Sequence, residues 1–123
     1  NVRDQFRFIR GDISDSEIAD ALFEVSLDIN ELPAGLETLI GGGEEKSAEL
    51  SGGQIRKIAI ARALLRDPLL IIADEPTADL DAESAKSVMR TLRSRTSAAL
   101  ICITHDLDLA QATDRIMQVE TVA

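Results

Sequence analysis

Two carboxylates and the chain's one histidine stand at the ends of apolar runs. Residues 69–73 are wholly apolar and lead straight into Asp74-Glu75, while residues 98–104 lead into His105-Asp106. A short apolar run bounded by proline and acids is how a strand buried on both faces reads. In an open parallel sheet, ligands gather at the carboxyl ends of the strands. Asp74, Glu75 and His105 are therefore expected on one edge of such a sheet. An aspartate there suits Mg²⁺, which prefers oxygen ligands and keeps several of its waters. The adjacent carboxylate can orient or deprotonate an attacking water. A neighbouring histidine can donate to a terminal phosphate oxygen as charge develops on it. Taken singly, each has a plainer reading: an acid after a strand opens a solvated loop, and His105-Asp106 can be a helix-capping pair.

Ser51-Gly52-Gly53-Gln54 offers a second kind of chemistry. Backbone N–H groups at a helix start form an anion site, and glycines let a phosphate approach without Cβ obstruction. The plainer alternative is an ordinary capping box, which the Ser-x-x-Gln spacing also satisfies.

The elements that must hold these groups follow from pattern. Residues 1–6 read as an amphipathic helical turn. Ser14-Asp15-Ser16-Glu17 has capping-box form and launches a helix with Ile18, Ala19, Leu22 and Phe23 on one face. Leu32-Pro33-Ala34-Gly35 ends that helical region, and residues 41–45 form an acidic, glycine-rich loop. From Ser51 a helix runs through Ile55, Ile58, Ala59 and Leu64 until Asp67-Pro68 stops it. Ala85, Val88, Met89 and Leu92 mark one face of another helix. Residues 106–112 read as a short helix and 115–119 as a third strand. Strand, helix, strand with a connection this long implies a parallel sheet with right-handed crossovers. The predicted fold is α/β: residues 1–50 form a mostly helical lobe, and residues 51–123 a parallel sheet flanked by helices.

Bulk properties narrow the choice. At 123 residues the chain suits one small domain with a real core. No apolar run approaches the ~18 residues a membrane-spanning helix requires, and the first residues lack a signal-peptide pattern. Net charge is −9, with 12 acids and 4 bases in residues 1–50 and 10 acids and 9 bases in residues 51–123. That acidity argues against a nucleic-acid partner. With three Phe and no Trp or Tyr, stacking platforms for bases are missing as well. Cys102, inside an apolar run, reads as a small core residue in a reducing compartment.

Taken together, these motifs resemble the ATP-binding domain of ABC transporters. Residues 50–54 match the signature Leu-Ser-Gly-Gly-Gln, and residues 69–75 resemble the Walker B strand followed by the catalytic glutamate. Ala78-Asp79-Leu80-Asp81 is similar to the D-loop, and Ile103-Thr104-His105-Asp106 to the switch-histidine segment. Upstream, residues 2–5 and 32–38 look most like exporter-type domains. The resemblance implies a partial P-loop NTPase-type fold, with ATP and Mg²⁺ as ligands. It implies that Asp74 holds the Mg²⁺ hydration shell, Glu75 polarises the hydrolytic water and His105 contacts the γ-phosphate. Ser51, Gly52, Gly53 and Gln54 would meet nucleotide on the opposite protomer of a head-to-tail dimer, and Asp81 would signal across that interface. Glu44 and Glu45 fall where exporters touch the membrane domain's coupling helices, although Gly-Gly-Gly-Glu-Glu-Lys departs from the family there.

Residues 1–123 contain no G-x-x-x-x-G-K-[ST] phosphate loop. In residues 41–47 the nearest approach fails, because Glu45 stands where glycine must precede the lysine. The expected identity is therefore the helical lobe plus the C-terminal half of the core, without the Walker A half. The implied function is the ATPase unit of a membrane transporter at the cytoplasmic face of the membrane. Its partners would be a second ABC ATPase domain and a transmembrane domain. The alternatives are a soluble ABC-type ATPase of DNA repair, chromosome organisation or translation, and an inactive interaction module. Exposed apolar surface is expected where the sheet lacks neighbours.

Overall fold

Side-chain capping fixes where the main helices begin. In the computed structural model, which describes residues 1–41, 50–95, 97–111 and 113–119, α1 spans Val2–Arg7 and α2 spans Asp15–Glu24. Ser14 Oγ accepts from Glu17 N, and the Glu17 carboxylate accepts from Ser14 N at 2.9 Å, the capping box read from sequence. The Ser14 backbone and hydroxyl donors, with Arg10 beside them, hold the Glu17 carboxyl down to about 2. Helix α3, Gly52–Leu64, starts the same way: Gln54 N donates to Ser51 Oγ at 3.1 Å and Ser51 N to Gln54 Oε1 at 2.9 Å. Helix α4, Ala82–Ser94, is capped by Asp81, whose Oδ1 accepts from Glu83 N and Ser84 N. Each such cap is worth about 1 kcal/mol.

Between α2 and α3 the chain turns through two short 3₁₀ segments, Ile29–Glu31 and Gly35–Glu37. Helices α1 and α2 pack on α3, and the buried cluster is continuous from Val2 and Phe6 through Ile18, Leu22, Ile58 and Leu64 to Val88 and Leu92. Ala85, Val88, Met89 and Leu92 are all buried, as the periodicity of α4 requires. Phe23, by contrast, is exposed, so the buried stripe of α2 is narrower than its sequence pattern implies. Ile55 and Ala59 of α3 also face outward, their expected places on the buried face taken by Lys57 and Ala61. Polar contacts tie α2 to α4: Thr91 Oγ1 donates to the Glu24 carbonyl, Arg95 pairs with Glu24, and the Ser26 and Ser87 hydroxyls bond each other.

The sheet has two parallel strands, β1 (Leu70–Asp74) and β2 (Ala99–Ile103), in the register Leu70↔Ala99 to Asp74↔Ile103. Three expectations for this half need correcting. Residues 115–119 form no strand, and residues 106–111 contain only the 3₁₀ turn Leu107–Leu109 rather than a helix. The strands are also not buried on both faces. Leu70, Ile72, Ile101 and Ile103 are 50%, 64%, 51% and 53% exposed, because a pair of strands leaves faces and outer edges uncovered. The reading of Gly42–Glu45, with Glu44 and Glu45 as membrane-domain contacts, lies outside the described residues. Among the described residues no helix is long and apolar enough to cross a membrane.

Exposed β-branched side chains on a two-stranded sheet are a surface for apolar dyes. The chain should enhance anilinonaphthalene sulfonate fluorescence while folded, and Ile72→Thr with Ile101→Thr should cut that signal substantially. A dye-silent wild-type chain would contradict the exposure.

Candidate functional site

Register decides what meets at the sheet's end. Asp74 lies opposite Ile103, and Glu75 N donates to the Ile103 carbonyl at 2.8 Å, carrying the ladder one residue further. There β1 breaks: Glu75 has φ +44°, a left-handed conformation that non-glycine residues seldom adopt. The turn brings its carboxylate onto the residues after β2. Glu75 Oε1 is 2.7 Å from His105 Nδ1 and accepts from His105 N at 3.2 Å, while Oε2 accepts from Thr104 Oγ1 at 3.3 Å.

Each partner stabilises the other's charged form. The His105 hydrogen bond is the largest influence holding the Glu75 carboxyl below its ordinary value. The Glu75 hydrogen bond is likewise the main reason the His105 imidazole is raised above 6.5. With Glu75 ionised, Nδ1 carries a proton toward it. Nε2 is left as the ring atom able to reach outward, and His105 is 88% exposed. The pair's stabilisation is bounded on both sides. The histidine contribution is complete below 6.5 and lost as pH rises through the raised imidazole pKa. The glutamate contribution is complete above 4.5 and lost as pH falls through the lowered carboxyl pKa.

Asp74 is exposed at the end of β1, with no hydrogen-bond or ion-pair partner among the described residues. A free carboxylate at a strand end fits Mg²⁺, which is commonly held by one or two carboxylates, waters and substrate phosphates. It does not amount to a self-sufficient metal cage: no group of three or more His, Cys, Asp or Glu side chains is placed to hold an ion among the described residues.

Ser51, Gly52, Gly53 and Gln54 stand at the start of α3, and Ser51 is exposed. Ser51 Oγ accepts the capping bond, but a hydroxyl that accepts still has its proton to donate, so capping and anion contact are compatible. Gln54 is more committed: Oε1 closes the capping box, and Nε2 donates to the Glu31 carbonyl at 3.3 Å. Gly53 has an intramolecular reason to be glycine. A Cβ there would lie 3.0 Å from Leu80 Cδ2 and 3.4 Å from the Asp79 carbonyl. The helix start is thus pressed against the turn that follows Glu75. Asp81 sits at the far end of that turn with its carboxyl pKa lowered, chiefly by the Ser84 N–H it accepts as a cap.

Two basic residues of α3 escaped the sequence reading. Lys57 is buried, and its Nζ donates to the Ser26 carbonyl at 2.9 Å and the Ser84 hydroxyl at 3.0 Å, joining the end of α2 to α4. Its spacing to Ala61 and Leu64 (i, i+4, i+7) was the available signal. Arg56 Nη1 donates to the carbonyls of Glu75 at 2.8 Å and Ala78 at 2.7 Å. No periodicity marks that contact. Cys102 is half-buried in β2, and burial pushes its thiol up, away from thiolate reactivity.

The model of the family described as ABC transporter matches residues 6–78, more than half of the chain and including the start of α3 and the end of β1. The chain belongs to the ABC transporter family. It is 38% identical to the mitochondrial potassium channel ATP-binding subunit of Xenopus tropicalis over 119 residues, 94% of this chain and 17% of that protein. It is 44% identical to the lipoprotein-releasing system ATP-binding protein LolD of Chromohalobacter salexigens over 81 residues, 63% of this chain and 34% of that protein. The solved structure of a bacterial Atm1-family ABC exporter with ATP bound superposes with TM-score 0.72 at 29% identity, covering 87% of this chain and 19% of that one. The chain therefore spans a minor part of the relatives it matches. Its mixed architecture with a small parallel sheet is consistent with part of a P-loop NTPase fold, and the ABC segment is exporter-like.

The ion pair at the end of the ABC sheet is directly measurable. Nuclear magnetic resonance titration of the His105 ring should give a pKa above 6.5. Glu75→Gln should return it toward 6.5, and an unmoved pKa would show that the two groups do not pair in solution.

Proposed function

We propose that this chain is part of the ATP-binding and hydrolysing unit of an ABC membrane transporter, exporter-like. In this reading, hydrolysis in a head-to-tail pair of ATPase domains drives transport of a substrate. The observation that carries it is the contact between Glu75 and His105 at the ends of adjacent parallel strands, within a chain of this family. Glu75 orients the attacking water, and His105 holds it in place and presents Nε2 to a terminal phosphate oxygen. Asp74 would hold a hydrated Mg²⁺, whose charge would offset that of the phosphates. Ser51, Gly52, Gly53 and Gln54 contact nucleotide bound to the partner domain, and Asp81 lies at the same interface. The partners are a second ABC ATPase domain and a transmembrane domain, at the cytoplasmic face of the membrane. The acidity of the chain and its lack of aromatic platforms favour this reading over a nucleic-acid-bound ATPase.

In the full-length protein that contains these residues, Glu75→Gln should leave ATP binding intact and lower turnover roughly 10²- to 10⁴-fold, the range of a lost general base. Unchanged turnover would remove Glu75 from that role. For residues 1–123 alone, which contain no Walker A sequence, calorimetry should find weak or undetectable binding of MgATP. Micromolar affinity would mean that the phosphates are gripped by groups other than those assigned.

A further inference from the structure

The turn that carries Glu75 is held from outside by one side chain of the signature helix. Residues 75–81 contain two non-glycine residues in the left-handed region, Glu75 at φ +44° and Asp79 at φ +61°. Such a turn reverts to ordinary conformations unless its surroundings over-determine it. Its internal bonds are Ala78 N to the Glu75 carbonyl and Leu80 N to the Thr77 carbonyl, both 3.2 Å. Arg56 adds two shorter contacts, Nη1 to the Glu75 carbonyl at 2.8 Å and to the Ala78 carbonyl at 2.7 Å, and a longer one, Nη2 at 3.7 Å from Asp79 Oδ2. One guanidinium thus spans the turn from its first residue to its fifth.

We propose that Arg56 is a positioning residue that fixes the backbone of Glu75, and through it the carboxylate, to the helix that begins at Ser51. This inference rests on the ATPase reading above and deepens it. Arg56 does not touch the carboxylate of Glu75 or the ring of His105. It acts on the carbonyl that follows the Glu75 Cα, so it determines where the side chain starts rather than what the side chain bonds. Gly53 works in the same direction, since the 3.0 Å clearance to Leu80 lets the helix start close on the turn.

The consequence is mechanical. Arg56 is five residues beyond Ser51, about 7–8 Å along a rigid helix. A displacement of the helix start, where the partner's nucleotide is proposed to bind, reaches the Glu75 backbone through one hydrogen bond and the same turn at Ala78 through a second. The arginine fork makes this link direction-specific, because both carbonyls accept from the same nitrogen of a planar group. Lysine in its place keeps the charge and a donor but loses the planar geometry. Glutamine keeps a planar donor without the charge or the reach.

The experiment is ATP turnover by the full-length protein, with Arg56→Lys and Arg56→Gln each made alone and in the Glu75→Gln background. Thermal midpoint and ATP binding are measured for every variant. For the single variants kcat should fall roughly 10- to 100-fold while KM for ATP stays within about twofold, as expected when a reacting group is misplaced rather than substrate binding weakened. Arg56→Lys should retain more activity than Arg56→Gln. In the Glu75→Gln background the same substitutions should cause no further loss of the residual single-turnover rate, because the group they position has gone. Wild-type kcat in both single variants would overturn the proposal, as would an undiminished further loss in the Glu75→Gln background. A loss of kcat matched by a lowered thermal midpoint and weakened ATP binding would assign Arg56 to folding instead, again overturning it. A wild-type protein with no turnover would overturn the ATPase reading itself, and the proposal with it, which separates that failure from the others.

Discussion

In-register pairing of two five-residue strands is the constraint on which the site depends. With Asp74 opposite Ile103, the residues one and two beyond each strand end arrive side by side. A slip by one residue would send alternate side chains to the other face and carry Glu75 away from His105. The ladder bond from Glu75 N to the Ile103 carbonyl extends this constraint past the last strand residue, so the glutamate's position is set before its side chain makes any contact. The carboxylate then accepts from three donors of residues 104 and 105, and the imidazole is raised in return. Local charge pairing here is an outcome of strand register, not its cause.

The second support comes from the helix rather than the sheet. Helix α3 contacts the turn after Glu75 in two ways: by lacking a Cβ at Gly53 and by reaching across with Arg56. It also packs on α1 and α2 and holds Lys57 between Ser26 and Ser84. The helix therefore touches α1, α2, the helix α4 and the backbone of the site. Helix α3 is thus one link between these parts, beside the direct contacts of α2 with α4. Its start at Ser51 is exposed, while Lys57, Ile58, Ala61 and Leu64 are buried.

Local signals carried most of the helical architecture. The capping boxes at Ser14 and Ser51 involve residues three apart, so chain entropy hardly opposes them and the spacing alone identifies them. The buried face of α4 was legible because Ala85, Val88, Met89 and Leu92 follow a single period against one core. What local pattern could not supply was cover. An apolar strand reads as buried on both faces, yet Ile72 and Ile101 are exposed, because burial depends on neighbours that the strand's own residues do not encode. The same limit explains residues 115–119, whose apolar content suggested a strand that pairs with nothing here. Phe23 misled for a related reason: a wide apolar stripe on α2 says how much surface is apolar, not how much is covered. Arg56 was invisible because its partners are carbonyls, and any sequence supplies carbonyls.

Among the candidate groups, plain structural duty accounts for more than the motifs suggest. Ser51 and Asp81 cap helices, and Asp106 caps the 3₁₀ turn after His105 by accepting from Asp108 N at 3.0 Å. Gly53 lies close to Leu80 and to the Asp79 carbonyl. None of these residues, taken by itself, requires a ligand. Glu75 is different, because its left-handed backbone costs on the order of 1–2 kcal/mol relative to an ordinary conformation. A glycine would occupy that position without the cost. The fold gains nothing from a glutamate there that a glycine could not provide, apart from a carboxylate held against His105. A strained, ionised side chain locked by strand register on one side and by Arg56 on the other is difficult to explain as packing. It is readily explained if the carboxylate's position is itself what the protein uses.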